Sequence, residues 1–385
     1  MKVLVIHTAY KLRGGEDTVV QNEIELLMSA GHKIELLQFS NSGGTLFKLL
    51  QLPFNLSSYN ATKQKIKDFK PDIIHIHNLH FAASPSVVYA AKKQRVPVVI
   101  TLHNYRLLCP SATLFEEDAL YTKSINCVFP WDAVVKAVYH KSRLLTFWLS
   151  CSMWLHQWLG TWKWPVKYIA LGDYTKEIFA QSKLAFILPH IAIKPNFCYA
   201  DEAIQNRTGD YYLFVGRLSE EKGLRVLIDA FSQNNLPLKI AGTGPMEKEL
   251  RARAAAFTNI TFLGSLNKKG IENLLANAKA LIFPSIWYET FGMVVIEAFA
   301  MGIPVIASKL GQMAITITDR LNGLYFEAGN STDLLQKLTL FESLSSTELE
   351  VYKINARKTY DQLYTPEKNL KILEQLYQDA VNSSF

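Results

Sequence analysis

The stretch 281-LIFPSIWYETFGMVVIEAFAMGIPVIAS-308 reads as one complete strand, loop, helix and strand unit. LIFPS has the continuous apolar character of a buried strand, WYETFG is a crossing loop and MVVIEAFAM a helix. Gly302 is its C-terminal stop and PVIAS the next parallel strand. Two glutamates, Glu289 and Glu297, stand eight positions apart around this junction. A helix that begins near Phe291 and Gly292 offers unpaired backbone N–H groups and the positive end of the helix dipole to an anion. Glu289, just before it, can accept hydrogen bonds from sugar hydroxyls; Glu297, about one and a half turns into the helix, is placed for a second polyol such as a ribose. One anion and two polyols describe a nucleotide sugar. Two solvated surface charges are the plainer alternative. Glu297, however, is flanked by Val294, Val295, Ile296, Ala298, Phe299 and Ala300, and a glutamate in such an apolar run needs a partner.

Upstream, 211-YYLFVGRLSEEKGLRVLIDAF-231 is a strand, a glycine turn at Gly216, a charged loop and an amphipathic helix. Arg217 and Lys222 are two cations able to close on a diphosphate, the first as a planar fork and the second as a point charge. Pairing with the neighbouring Glu220 and Glu221 is the alternative. Next, 238-LKIAGTGPMEKEL-250 is a strand ending in Gly242 and Gly244, with Pro245 suited to a first helical position. A further strand, ITFLGSL, surrounds Gly264. In this order the E-x7-E unit with its TFG loop, the G-R-L-x-x-x-K-G segment, the G-x-G-P turn and the ITFLG strand resemble the donor domain of the family-4 retaining glycosyltransferases. The resemblance implies an α/β GT-B fold of two Rossmann-like domains facing across a cleft. It assigns Arg217 and Lys222 to the donor diphosphate, with Glu289 and Glu297 on the sugar and ribose. The donor-binding set it implies is Gly14, Gly15, Gly216, Gly242, Gly244, Thr290, Phe291, Gly292, Met293 and Glu297. The family's G-G-x-P-E helix start is here Gly311-Gln312-Met313-Ala314-Ile315, a departure that bears on donor identity and activity.

The N-terminal half has the same parallel-sheet rhythm. KVLVIH, KIELLQF, DIIHIH and VPVVITLH are apolar runs separated by helical or loop stretches. After the first run comes 11-KLRGGED-17, where Gly14 and Gly15 would let the backbone approach a phosphate or sugar. A helix is expected from about Thr18 to Ser29; a simple flexible loop is the alternative for the glycines. His75 and His77 alternate along a strand, and His80 follows its end. No Cys or carboxylate at ligand spacing supports zinc there, and imidazoles hydrogen-bonding at a strand end are the simpler account. His103, in 101-TLHNYRLLCP-110, matches the family's histidine after the next strand, which by resemblance contacts the transferred sugar near the reacting centre. The implied catalytic set is therefore His103, Arg217, Lys222 and Glu289. A subgroup of the family carrying TLHNYRLLCP is closer still.

With 385 residues, of which 49% are hydrophobic, the chain holds two ordinary domains with separate cores. The expected division is residues 1–199 for the first and 200–365 for the donor-binding domain, with 200-ADEAIQNRTGD-210 as linker. By resemblance, a last helix from 366 to 385 packs back on the first domain. KVLVIH is too short for a signal peptide, the four cysteines lack paired spacing, and there is no run of eighteen uncharged apolar residues. A cytoplasmic location follows as the expectation. Thirteen aspartates contain no D-x-D pair, so the sequence demands no metal, and no cofactor is expected beyond a UDP- or GDP-linked sugar substrate.

Charge is uneven: residues 1–199 carry 22 Lys and Arg against 13 Asp and Glu, and residues 200–385 carry 19 against 21. Without a nucleic-acid motif, this basic half fits an anionic bilayer or a lipid-linked phosphate acceptor; solvated helix faces are the alternative for 63-KQKIKDFK-70 and for Lys136, Lys141 and Arg143. Five of seven tryptophans fall within 144-LLTFWLSCSMWLHQWLGTWKWP-165. Trp154, Trp158 and Trp162 at i, i+4, i+8 suit an interfacial helix; a buried helix or a contact between copies of the chain suits the composition equally. The functional expectation is a metal-independent retaining hexosyltransferase acting on a lipid-linked or cell-surface polysaccharide or lipopolysaccharide intermediate, peripheral on the inner membrane face. A catalytically weak subunit of a polysaccharide assembly complex and a nucleotide-sugar epimerase are the competing classes.

Overall fold

The computed structural model describes residues 1–9, 15–41, 51–200 and 209–383. They form two compact units: Met1–Glu116 with Tyr121–Asn196 and Glu367–Phe385, and Glu117–Leu120 with Phe197–Pro366. Gly14, the 40–45 loop beyond Asn41 and most of the 200–210 linker lie outside the described residues.

In the first unit the apolar runs become β1 (Lys2–Ala9), β2 (Lys33–Ser40), β3 (Ile73–Asn78) and β4 (Val98–Leu102). Chain order continues with the short strands β5 (Phe115–Glu116) and β6 (Ala119–Leu120), the latter grouped with the second unit, and then β7 (Lys167–Ala170) and β8 (Ile191–Ile193). The six long-range strands pair in parallel in the order β2-β1-β3-β4-β7-β8. β3 and β4 are buried along their whole length; β4 (VVITL) is accordingly almost continuous in Val and Ile, while β3 (IIHIHN) buries two histidines among its isoleucines.

The second unit repeats the plan with β9 (Tyr211–Val215), β10 (Leu238–Ala241), β11 (Ile260–Gly264), β12 (Ala278–Phe283), β13 (Val305–Ser308) and β14 (Gly323–Phe326). Their order, β11-β10-β9-β12-β13-β14, is that of a Rossmann sheet. In both sheets the chain reverses its direction of winding beside the first strand, between β1 and β3 and between β9 and β12. A crevice opens outside the carboxyl ends of the strands at such a point, and it is where ligands of this architecture bind.

The helix Pro366–Asn382 belongs to the first unit, although all of the second precedes it in sequence. Its Leu373, Leu376, Tyr377 and Ala380 complete a core with Val3, Val5, Val20, Ile24, Leu27, Ile73, Val99 and Ile169. His32 Nε2 sits 2.8 Å from Glu374 Oε1 at its edge. The preceding helix, Ser346–Leu363, starts with a capping box between Ser345 and Glu348. Its Arg357 donates to the Ala300 carbonyl at 2.8 Å, satisfying an orphan acceptor at the end of the Met293–Ala300 helix.

Three expectations need correction. The first helix starts at Gly15 rather than Thr18, with Glu16 and Asp17 in its first turn. Those carboxylates favour the positive end of the helix, and Asp17 Oδ1 lies 2.9 Å from His7 Nε2. Trp162 is not on the tryptophan helix, which spans Arg143–Trp158. Gly160, at φ 65°, ends that run and sends Trp162 into a 3-10 turn, where it is buried. Lastly, the Met293–Ala300 helix begins two residues after Phe291, with Gly292 as its N-cap.

Leu373→Ala, which opens a hole in the core closed by the last helix, is expected to cost about 2–5 kcal/mol. Glu374→Ala at the rim should cost less than about 1 kcal/mol. Denaturant unfolding of the two variants measures both, and equal losses would rule out a core role for this helix.

Candidate active site

At the carboxyl end of β9 the chain turns at Gly216 and runs back through Ser219 to Lys222. Gly216 N–H donates to the Ala241 carbonyl and Leu218 N–H to the Thr243 carbonyl, both at 3.0 Å, and Met246 N–H returns a bond to Leu218 at 3.0 Å. These bonds stitch the loop after β9 to the G-x-G-P turn after β10. Gly242, at φ 137°, is compulsory here, since a Cβ would stand 1.9 Å from the Gly216 carbonyl oxygen. One at Gly244 would meet the Leu218 carbonyl oxygen at 2.3 Å. Loop-to-loop packing therefore already accounts for both glycines.

The loop after β12 closes on the same place. Ile286 N–H donates to the Glu221 carbonyl at 2.9 Å, and the Lys222 ammonium, 67 positions away, donates to Glu289 Oε1. Ser285 Oγ donates to the same oxygen at 2.9 Å. Glu289 is only 7% exposed, so its charge is held by a cation and a hydroxyl. The Lys222 ammonium also lies 5.4 Å from the centroid of the Trp287 ring and 5.8 Å from that of Phe283. Arg217 is exposed and makes no ion pair among the described residues. Glu220 pairs with Arg225 and Glu221 accepts from Ser219 Oγ at 2.6 Å, so neither takes Arg217 or Lys222.

Thr290, Phe291, Gly292 and Met293 follow. Phe291 is buried, with its ring 5.9 Å from that of Tyr364. Gly292 has φ 94°, and a Cβ there would come 3.1 Å from Met313 Cε. Met313 lies in the segment Gly311–Ile315 that departs from the family pattern, and is itself buried. The departure thus places a flexible thioether against the N-terminus of the Met293–Ala300 helix.

The first unit gathers its polar groups at the ends of β1, β3 and β4. His77 Nδ1 lies 3.0 Å from His103 Nε2, and the rings stack at 5.3 Å between centroids. Behind them Glu23, from the Gly15–Ser29 helix, sets Oε1 at 3.1 Å from both His77 Nε2 and His75 Nδ1. Its Oε2 receives the Lys194 ammonium at 2.7 Å. Lys194 also donates to Asn369 Oδ1 at 3.2 Å, and His75 Nδ1 is 2.7 Å from the Tyr377 hydroxyl. Burial alone would push the Glu23 carboxyl up, but Lys194, then His77 and His75, outweigh it and hold it well below the usual range. Burial and the neighbouring His75 push His77 down to about 4 against the pull of Glu23. His103 is also held well below the ordinary imidazole value, by burial first and by His77 second. Sequence reasoning found the histidines and missed Glu23 and Lys194. The signal was partial: Lys194 sits in the largely apolar IAIKPNF, as Glu297 sits in its own apolar run, whereas Glu23 lies in the polar-rich QNEIELL and carries no such mark.

Two family models match the chain: Glycosyltransferase Family 4 over residues 13–182 and Glycosyl transferases group 1 over residues 201–359. The chain belongs to the family-4 glycosyltransferases. O-antigen chain mannosyltransferase C of Escherichia coli is 28% identical over 178 residues, 45% of this chain and 48% of that protein. D-rhamnosyltransferase WbpZ of Pseudomonas aeruginosa is 38% identical over 104 residues, 26% and 27% of the two chains. These matches span half or less of each relative's length. A phosphatidyl-myo-inositol mannosyltransferase of Mycobacterium leprae is 24% identical over 332 residues, 82% of this chain and 78% of the other. Among solved structures, a glycosyltransferase of Rickettsia africae superposes with TM-score 0.70 at 18% identity, covering 99% and 98% of the chains. Likeness at that identity concerns the fold, which is GT-B with two Rossmann-like domains.

In this family-4 glycosyltransferase, burial raises Glu297 above the ordinary carboxylate value, with Lys268 pulling it down and Glu272 adding to the rise. A folded-state value above the unfolded one means that ionisation opposes folding. Stability from this group is full below the ordinary carboxylate range and declines as pH rises through the folded value. Glu297→Gln is therefore expected to raise the unfolding free energy at neutral pH by a few tenths to about 1 kcal/mol, with the gain vanishing on acidification. Thermal melts of both proteins across pH test this, and a pH-independent difference would refute it.

Proposed function

We propose that this chain is a retaining, metal-independent glycosyltransferase. It moves a hexosyl group from a UDP- or GDP-linked sugar to a hydroxyl of a lipid-linked or cell-surface polysaccharide or lipopolysaccharide intermediate. The observation that carries the reading is the Lys222–Glu289 pair beyond the carboxyl ends of β9 and β12, with Arg217 exposed in the same loop after β9 as Lys222. The names of two relatives, an O-antigen chain mannosyltransferase and a phosphatidyl-myo-inositol mannosyltransferase, support the acceptor class, and those two with the rhamnosyltransferase support a hexosyl group as what is moved.

A donor diphosphate competes with Glu289 for the Lys222 ammonium. As Lys222 turns to the phosphates, Glu289 is released to accept from the sugar hydroxyls, so one ion pair is exchanged for two oriented contacts. Arg217, Lys222 and the N–H groups around Thr290 to Gly292 then stabilise the negative charge that grows on the departing diphosphate. Glu297 takes the ribose, and His103 contacts the transferred sugar. The bond from sugar to diphosphate breaks, the acceptor oxygen bonds on the same face, and its proton leaves with the diphosphate.

Arg217→Ala and Lys222→Ala are each expected to lower transfer by about two or three orders of magnitude, the loss typical of removing one charge-stabilising donor. Purified protein with UDP-, GDP- and ADP-sugars, a membrane lipid extract and a chelator provides the assay. Chelator-insensitive release of one nucleotide with sugar entering lipid is the expected outcome. Full activity in both variants refutes the phosphate assignment. Donor turnover without transfer favours an epimerase, and donor binding without turnover an assembly subunit.

The acceptor side of this reading includes a membrane surface. The face of the Arg143–Trp158 helix opposite its buried Thr146, Leu149, Ser150 and His156 exposes Leu144, Phe147, Trp154 and Trp158, the last by 72%. Phe129, Trp131 and Phe147 form a ring cluster next to it, with Trp131 61% exposed. Lys136, Lys141 and Arg143 are exposed alongside, the pairing of aromatic wedge and cations that suits an anionic bilayer. No helix among the described residues is long and apolar enough to cross a membrane. Trp154→Ala with Trp158→Ala should weaken sedimentation with phosphatidylglycerol liposomes about tenfold while leaving donor hydrolysis in solution unchanged. Unaltered liposome binding would eliminate this surface.

A further inference from the structure

The helix Ser86–Lys93 runs from the end of β3 back to the start of β4, so its last turn and Arg95 stand at the amino ends of the strands, away from the histidine cluster. There an open hollow of about 610 Å³, enough for a small ligand, is lined by four aromatic rings and three cations. The Phe54 ring lies 5.8 Å from that of Tyr59 and 5.7 Å from that of Tyr89, and Tyr89 meets Trp164 edge-on at 4.7 Å between centroids. Lys92, Lys93 and Arg95 are exposed, and none makes an ion pair among the described residues. The Lys92 ammonium rests 3.3 Å from the centre of the Trp164 ring. Buried groups fix this floor from behind. The Pro53 carbonyl can only accept, so His156 Nε2, 2.6 Å away, bears a proton. Burial holds His156 below the ordinary imidazole value, which leaves its Nδ1 to accept from Thr161 Oγ1 at 3.0 Å, and Thr161 in turn accepts from the Tyr89 hydroxyl at 2.8 Å. The relay ties Tyr89 to the tryptophan helix and to the segment before Phe54, so the rings are placed before anything binds.

We propose that this hollow binds the phosphate headgroup of an anionic membrane lipid, held by Lys92, Lys93 and Arg95 above the aromatic floor. The proposal rests on the membrane-surface reading above and gives that surface a specific ligand. The chemistry of the lining selects the ligand. Two ammoniums and a guanidinium only donate, and no carboxylate or amide lines the hollow among the described residues. Sugar hydroxyls need acceptors as well as donors, whereas a phosphodiester only accepts and carries the charge that three uncompensated cations match. A lipid as its source follows from the apolar rim. Phe54 is 43% exposed and Leu56, two positions on, 63%, more than a soluble anion requires. The helix that shows Trp154 and Trp158 ends at Trp158, and the chain then passes the exposed Leu159 and Lys163 before it brings Trp164 into the hollow. Aromatic wedge and headgroup site are thus consecutive along one stretch of chain.

Sedimentation of the whole chain with phosphatidylcholine vesicles containing phosphatidylglycerol, and calorimetric titration with monomeric dihexanoyl phosphatidylglycerol, test the site. Lys92→Gln with Lys93→Gln is compared with Lys33→Gln with Lys371→Gln, which removes the same charge from exposed positions of the same unit outside the hollow. The first pair should weaken both kinds of binding about tenfold and the second less than about twofold. Equal weakening by the two pairs means diffuse attraction to the basic unit and overturns the site. Inorganic phosphate bound as tightly as the short-chain lipid overturns the lipid source, and tighter binding of oligogalacturonate puts an acidic glycan in its place. If the first pair melts below the wild type, Lys93→Gln alone, which leaves Lys92 on Trp164, carries the comparison in the same direction. Vesicle binding lost in Trp154→Ala with Trp158→Ala but kept in the Lys92 and Lys93 pair refutes the headgroup site and leaves the membrane surface standing. Short-chain lipid held through Lys92 and Lys93 by a protein that ignores vesicles refutes the membrane surface and leaves the headgroup site.

Discussion

Parallel strands buried along their length have little place for unpaired polar side chains except at their ends, and this constraint organises both units. β4 is apolar but for Thr101, with His103 just past its end, and β3 carries His75, His77 and Asn78 in its carboxyl-terminal part, where partners from other elements meet the histidines. The second sheet repeats the rule, with Gly216 and Arg217 following β9 and Ser285 and Glu289 following β12. The reversal of strand order beside β1 and beside β9 adds the second half of the constraint. Two loops that would otherwise cover one another diverge there, and the space between them is left for a ligand.

Where charge does enter the interior, it is matched. Glu23 and Lys194, 171 positions apart, neutralise each other beneath the first sheet's polar ends. Removing one partner of such a pair costs about 3–5 kcal/mol, because the other is left buried and uncompensated. Asn369 and Tyr377 complete the arrangement from the last helix. That helix closes the core and also supplies hydrogen-bond partners to the histidine cluster, so stability and site geometry share the same residues.

Much of this plan was legible in the chain. The apolar runs, the glycine turns and the Glu289 to Glu297 spacing are local patterns, and the strands and loops follow them closely. The misjudged pieces were non-local or turned on one residue. Three tryptophans four apart predict one helical stripe, but Gly160 breaks the helix and Trp162 is drawn into the core. At Gly242 and Gly244, read as donor contacts, the packing adds a separate need for glycine, since a Cβ at either would meet the carbonyl oxygen of Gly216 or Leu218. The histidines of DIIHIHNLH looked as if they lacked a carboxylate, because Glu23 lies 52 residues before the first of them.

Sequence by itself determined the alternating strand and helix order, the two-domain plan and the identity of the cations and carboxylates at the strand ends. Those properties depend on periodicity and on spacing of a few residues, which the chain carries explicitly. Tertiary structure alone decided that Lys222 rests on Glu289, that Glu23 stands between His77 and Lys194, and that the tryptophan helix shows Trp154 and Trp158 while hiding Trp162. Each of these outcomes joins residues from separate elements or depends on which face a helix buries. Only the packing of one element on another determines the few ångströms that separate a hydrogen bond from an unrelated pair of side chains.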